Sequence, residues 1–372
     1  MAELFVVLLV IPALLVLIVT VMGVLAPSLS RPIATPVGAV SLRAAVVYGS
    51  AVFVLTTGVV AAYVVTSLRP RNTAAPSYRR PGGVTDLLRT VPSNPASALT
   101  VCLPAGLVLA GGLWALGYRP VNVLLLAYVG VGLPVGAVSV RRARSDDAKD
   151  REIQDFVHAV AGHVALGRPF PQAVRRVADE VQLGALAEDV EALAFTLSLA
   201  DSPGGGADDR RAAALDQFVD RVGTPMAEQT IGLIVGALDA GSDSEDIFEI
   251  LQEEIGRLYH ERKSLRSSLL VYVAVGWTTA LLVVGITVAM NVYVLSEFAQ
   301  LSSVASSRTV AFDPSVIDPE RARYRFYVVT QATMLACGWF AGTASRGVYE
   351  ALLHSSGLVL AAYAVFAGVG LL

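Results

Sequence analysis

Apolar residues dominate seven stretches of the chain, at 4–26, 44–67, 99–117, 121–140, 268–295, 326–345 and 353–372. A hydrocarbon core about 30 Å thick is crossed by roughly 20 residues of helix, so the pattern predicts seven transmembrane helices. Gly117-Tyr118-Arg119-Pro120 and the segment from Arg346 to Leu352 are short enough to be hairpin turns, which makes the helices they join antiparallel neighbours. The opening Met1-Ala2-Glu3 lacks the basic region of a cleaved signal peptide, so 4–26 reads as a first span.

Between 141 and 266 the pattern changes to apolar residues three and four apart, the spacing of helices with one wet face. Ile153, Phe156, Val157, Val160 and Val164 form one such face, ended by Gly167. Ala173, Val174 and Val177 form a second, in a helix opening near Pro169 to Pro171. Leu186, Val190, Leu193, Ala194 and Leu197 form a third, and Ser202-Pro203-Gly204-Gly205-Gly206 is a loop. Leu215, Phe218, Val219 and Val222 form a fourth. Thr224-Pro225 reads as N-cap and first position of a fifth helix, which stops at Gly241. Ser242 with Glu245 gives a capping box for a sixth, whose apolar stripe is Ile247, Ile250, Leu251, Ile255 and Leu258. No Gly or Pro interrupts Arg257 to Val275, so the sixth helix is expected to run straight into the fifth span. From Ser244 to Val294 it would be roughly 75 Å long at 1.5 Å per residue.

Of the chain's 372 residues 54% are hydrophobic and 16% charged, which excludes an ordinary water-soluble enzyme. The net charge of −3 conceals a split: residues 141–266 hold 15 Lys and Arg against 24 Asp and Glu, −9 in all, leaving +6 elsewhere. Arg69, Arg71, Arg79, Arg80 and Arg89 fill the loop 68–98. Arg141, Arg142, Arg144, Lys149 and Arg151 open the middle segment, and Arg257, Arg262, Lys263 and Arg266 close it. Bases near span ends stay on the cytoplasmic side, so the expectation is a multi-pass protein of the cell membrane with the N-terminus and 141–266 inside. Arg321, Arg323 and Arg325 run against that bias. The domains are then 1–140 with four spans, 141–266 as a cytoplasmic helical unit, and 267–372 with three spans.

The chemistry-bearing residues are sparse. Cys102 and Cys337 lie singly in apolar runs, the four histidines form no HExxH pair, and no Asp, Glu, Lys or Arg lies deep in a span. No phosphate-binding GxxxxGK accompanies Gly204–Gly206, and the arginines flank spans as topology and anionic lipid require, without a basic face for nucleic acid. No catalytic residue, metal site or cofactor is expected. Asn291 and His354 are the most polar residues near span ends. The acids Asp243, Glu245, Asp246, Glu249, Glu253 and Glu254 form either a solvated face or a docking surface.

Two stretches carry a family likeness. Ala165-Leu166-Gly167-Arg168-Pro169-Phe170-Pro171-Gln172-Ala173-Val174 resembles the first interhelical turn of the type II secretion system F domain. Gly236-Ala237-Leu238-Asp239-Ala240-Gly241, followed by Asp246-Ile247-Phe248-Glu249-Ile250-Leu251, resembles that family's helix, glycine turn, helix signature. Gln331, Gly338, Gly342, Gly347 and His354 resemble the last two spans of its archaeal members, including tight-adherence relatives. The resemblance covers about 141–372. It implies an all-α polytopic protein with a cytoplasmic six-helix bundle, the platform of a type IV pilus or archaellum-like machine, and no enzyme.

It further implies a cytoplasmic secretion ATPase and pilins as partners. Because one such bundle is present where many platforms have two, it also implies a homodimer or a second platform subunit. On this reading Asp239, Gly241, Asp243, Asp246, Glu249 and Glu253 contact the partner. The rival classes are a polytopic transporter, which would need polar groups or broken helices at mid-bilayer depth, and a membrane sensor using the His158 helix. Two lysines against 26 arginines also suit a salt-loving archaeon, or base composition alone.

Overall fold

The computed structural model describes residues 10–25, 32–35, 38–68, 83–200, 207–239, 244–294, 297 and 318–371. The chain is helical almost throughout: α1 Ile11–Leu25, α2 Leu42–Leu68, α3 Val84–Thr90, α4 Pro95–Ala115, α5 Pro120–Ala165, α6 Phe170–Glu180, α7 Ala187–Ala200, α8 Ala207–Val222, α9 Pro225–Asp239, α10 Ser244–Ala289, α11 Pro319–Ser345 and α12 Val348–Gly368. Among the described residues the exception is an antiparallel ribbon, β1 Pro32–Thr35 and β2 Gly38–Ser41, paired Pro32 to Ser41 through Thr35 to Gly38. The hydrophobic pattern of the sequence carries no sign of it.

Among the described residues five helices are long and apolar enough to cross a membrane: Leu42–Val64, Pro95–Ala115, Pro120–Ala165, Gln252–Val294 and Val348–Gly368. This is consistent with a multi-pass membrane protein. Of the seven expected spans, the first is a shorter apolar helix, Ile11–Gly23, over its described residues. The sixth forms α11, which is not among the five because Thr330, Gln331, Thr333 and Thr343 dilute its apolar content. Burial explains the dilution. From Ala322 to Gly347 no residue is exposed and most are buried, so α11 presents little surface to a lipid environment and has small need of an apolar coat. Helix α4 is the opposite case, with Leu107, Val108 and Trp114 each more than two-thirds exposed.

The chain divides into two compact units. The first takes in residues up to Leu68, Arg80–Ser139 and Ser268–Leu372, and the second Val140–Ser267. Inside the first, glycines set the helix spacing. Gly338 and Gly342 on α11 stand against Ser355 and Ala351 of α12, and Gly132 and Gly136 on α5 stand against Ser356 and Leu353. A Cβ at any of the four would collide with its neighbour, so two Gly-xxx-Gly faces let α11 and α5 close on α12 at backbone contact. Gly347, with φ of 131°, makes the α11–α12 turn in a conformation that side chains disfavour. Hydrogen bonds add to this packing: Trp339 Nε1 donates to Tyr128 Oη at 2.9 Å, Trp277 Nε1 to His354 Nδ1 at 3.0 Å, and Gln331 Nε2 to the Val359 carbonyl at 3.4 Å.

The second unit has its own core. Ile153, Phe156, Val157, Val160 and Val164 of α5 meet Ala173, Val174 and Val177 of α6, Leu186, and Val190, Leu193, Ala194 and Leu197 of α7. Leu215, Phe218 and Val222 of α8 and Ile255 of α10 complete it, with Leu258 partly buried beside them. Each is an apolar position expected from the sequence. Ile250 is the exception: it is 67% exposed and does not join this core. Ile247 and Leu251 have side chains outside the described residues, as do the loop 202–206 and the capping pair Ser242–Glu245.

Candidate functional site

The expected partner-binding residues gather around the α9–α10 junction. Asp239 is the last residue of α9, and Asp246, Glu249 and Glu253 lie in the first three turns of α10. Gly241 and Asp243 lie outside the described residues, as do the side chains of Asp239, Asp246 and Glu249. Positions 246, 249 and 253 recur at three and four residues, so they share one stripe of the helix. Glu253 is exposed. Next to it, Glu254 is engaged, accepting from Arg257 at 2.7 Å. Gln252 Nε2 donates to the carbonyl of His158 at 3.3 Å, fastening the start of α10 to α5.

The helix that carries this stripe is the expected long one. From Ser244 to Ala289 it makes 46 residues of uninterrupted α-helix, about 69 Å at 1.5 Å per residue, and a π-helical turn continues it to Val294. Gly256 and Gly276 lie inside it without breaking it. Helix α5 is equally long at 46 residues, and so runs through position 140, where the sequence suggests a boundary between a span and a separate helix. The signal for continuity is present: from Ala137 to Ala161 there is neither Gly nor Pro.

In the second unit, charged side chains tie helices together. Lys149 Nζ donates to Asp189 Oδ2 at 2.7 Å, and Arg221 approaches the other oxygen at 3.6 Å, so α5, α7 and α8 meet at the carboxylate of one buried residue. Glu152 accepts the Leu186 N–H at 2.8 Å. Gly167, φ 79°, closes α5 in the left-handed conformation that a glycine turn between helices requires, with its N–H donating to the Val164 carbonyl at 2.8 Å. Thr224 Oγ1 accepts the Ala227 N–H at 3.2 Å, the cap expected ahead of Pro225. Phe195 and Leu199, a turn apart on α7, are exposed, and the sequence does not single them out because they lie off the inward stripe of that helix.

Among the described residues no group of three or more His, Cys, Asp or Glu is placed to hold a metal ion, and both cysteines are free. Asn291, one of the two most polar residues near span ends, lies in the π-helical turn fully buried. Its Nδ2 donates to the Thr287 carbonyl at 2.7 Å, while its Oδ1 has no partner among the described residues. Thr330 Oγ1 donates to Thr287 Oγ1 at 3.2 Å. The five residues Gln331, Gly338, Gly342, Gly347 and His354 come together in the α11–α12 hairpin, where the glycines close the packing and the polar two bond to neighbouring helices. No family model, curated protein or solved structure matches the chain.

Proposed function

We propose that this chain is the membrane platform of a type IV pilus or archaellum-like assembly machine. In this reading Val140–Ser267 is cytoplasmic and binds a secretion ATPase or a second platform subunit through Asp239, Gly241, Asp243, Asp246, Glu249 and Glu253. The spans guide pilins, and the protein transmits motion without itself catalysing a reaction. One observation carries the reading: α10 bears the acidic stripe at its start and an apolar, membrane-length segment at its end, with no break from Ser244 to Ala289. An unbroken helix resists bending far better than a looped linker, so a push at the stripe is felt along its whole length. The homodimer or paired subunit and the archaeal source are parts of the same proposal.

The test is reversal of the stripe. D243K, D246K, E249K and E253K together are expected to abolish co-purification of the ATPase in mild detergent while the protein elutes as the wild type does. Retention of the ATPase at wild-type yield removes the docking assignment. A transporter is the second reading, favoured by the buried Thr287, Asn291, Thr330 and Gln331 beside a π-helical turn. Deleting the gene separates the two, since loss of surface filaments belongs to the platform alone.

A further inference from the structure

Three buried oxygens where α10, α11 and α12 meet have no hydrogen-bond partner among the described residues: Asn291 Oδ1, Tyr327 Oη and Gln331 Oε1. None of the three residues is more than 1% exposed. Two contacts fix the register of α10 on α11. Gly276 stands against Ala341, and Thr287 Oγ1 accepts from Thr330 Oγ1, so eleven residues forward on α10 match eleven residues back on α11. The helices are therefore antiparallel, and one turn past Thr287 brings Asn291 level with Phe326 and Tyr327. Phe326 packs the other way, in the cluster that holds Val16 of α1 and Val47 of α2. Around α11, Tyr327 points between Thr330, which bonds α10, and Gln331, whose Nε2 bonds the Val359 carbonyl of α12. Its ring meets Phe366 of α12 with centres 5.3 Å apart. Tyr327 and Gln331, one turn apart, act on each other electrostatically without meeting hydrogen-bond geometry.

Buried polar groups left unpaired are costly, and protein interiors satisfy them with ordered water that makes about three hydrogen bonds. The chemistry of this set matches that count. Asn291 Oδ1 and Gln331 Oε1 can only accept, while the Tyr327 hydroxyl can donate. Water has two hydrogens to give and a lone pair to accept with, so one molecule completes all three groups. A cation fits worse: the three side chains are neutral and offer it no counter-charge, and the hydroxyl proton of Tyr327 would gain no acceptor. We propose that the seam between α10, α11 and α12 binds a water molecule that donates to Asn291 Oδ1 and Gln331 Oε1 and accepts from the Tyr327 hydroxyl. One small polar ligand then joins three helices at the level where α10 gives way to its π-helical turn. The site rests on neither reading of the function, because α9 and the acidic stripe take no part in it.

The full chain in mild detergent is given an X-ray pulse in isotope-labelled water, and oxidised side chains are located by mass spectrometry. Hydroxyl radicals formed from a bound water oxidise the aromatic ring beside it. Tyr327 is expected to take up oxygen although it is fully buried, while Phe326, as deeply buried against α1 and α2, is not. N291L with Q331L removes both acceptors and is expected to abolish labelling of Tyr327, whereas the exposed Tyr118 keeps its label. Q331L alone, expected to reduce labelling of Tyr327, takes the place of the double variant should that fail to fold. Equal reactivity of Tyr327 and Phe326 in wild type overturns the proposal, as does labelling of Tyr327 that survives loss of the acceptors. A thermal midpoint that sodium chloride raises above choline chloride at equal ionic strength, in wild type and not in N291L with Q331L, also overturns it by making a cation the ligand.

Discussion

Gly342→Ala adds one methyl group to the chain, and the α11–α12 seam decides its cost. That methyl would come within 2.6 Å of the Glu350 carbonyl carbon and closer still to the backbone of Ala351. Carbon atoms pack at about 3.5–4.0 Å, so the helices must part by roughly 1 Å. No side-chain rotation relieves the overlap, since the obstructing atoms are backbone. Overpacking of this kind costs about 1–3 kcal/mol, and the upper end applies where the neighbour cannot move.

Gly111→Ala on α4 is the same chemical change in open space, with nothing within 4 Å of the new methyl. There only helix propensity acts, favouring alanine by about 0.5–1 kcal/mol. The two variants are therefore expected to differ by about 3 kcal/mol with opposite signs. Thermal unfolding in detergent, followed by tryptophan fluorescence, reads the difference, because Trp277 and Trp339 make their hydrogen bonds in or beside this seam. If G342A unfolds at or above the wild-type temperature, or G111A is destabilised as much as G342A, the backbone-contact argument fails.

Lys149→Met leaves the Asp189 carboxylate with only the longer Arg221 contact and is expected to destabilise the second unit by about 1–3 kcal/mol in chemical unfolding. K149M with D189L is expected to recover part of that loss, and an unchanged or larger loss would refute a strained buried charge. Leu265→Pro places a helix breaker on an exposed position of α10, at about 3 kcal/mol of local helix stability. Protein level is expected to persist while surface filaments disappear. Normal filaments with a broken α10 would remove the mechanical reading.

Much of this architecture is legible in the sequence because burial in each helix follows one period. The faces of Ile153 to Val164 and of Leu186 to Leu197 are readable for that reason, and so are the stop at Gly167 and the cap at Thr224. Ile250 misleads because an apolar residue at the right spacing carries no sign of whether a partner helix reaches that far. The Lys149–Asp189 pair is invisible in sequence, since 40 residues separate the partners and only the packing of α5 on α7 brings them together. The Gly-xxx-Gly faces are visible as glycines, but which helix they face is a property of the assembled unit. Of the proposed contact residues, Asp246, Glu249 and Glu253 show their helical spacing in the sequence, and only the exposure of Glu253 is added by the structure. A boundary at 140 in α5 follows from giving the arginines after it more weight than the missing helix breakers.

From Ala322 onwards helix α11 is largely buried and correspondingly polar, and this bears on how the chain is made. A nascent segment carrying Gln331 and several threonines partitions poorly into hydrocarbon when it emerges by itself. Its entry must be underwritten by company: α2 already resident, and α12 arriving one tight turn later. Biogenesis of this protein thus has an assembly step before α12 is finished, and a chain halted after Ser345 would hold α11 without the neighbour that seals it.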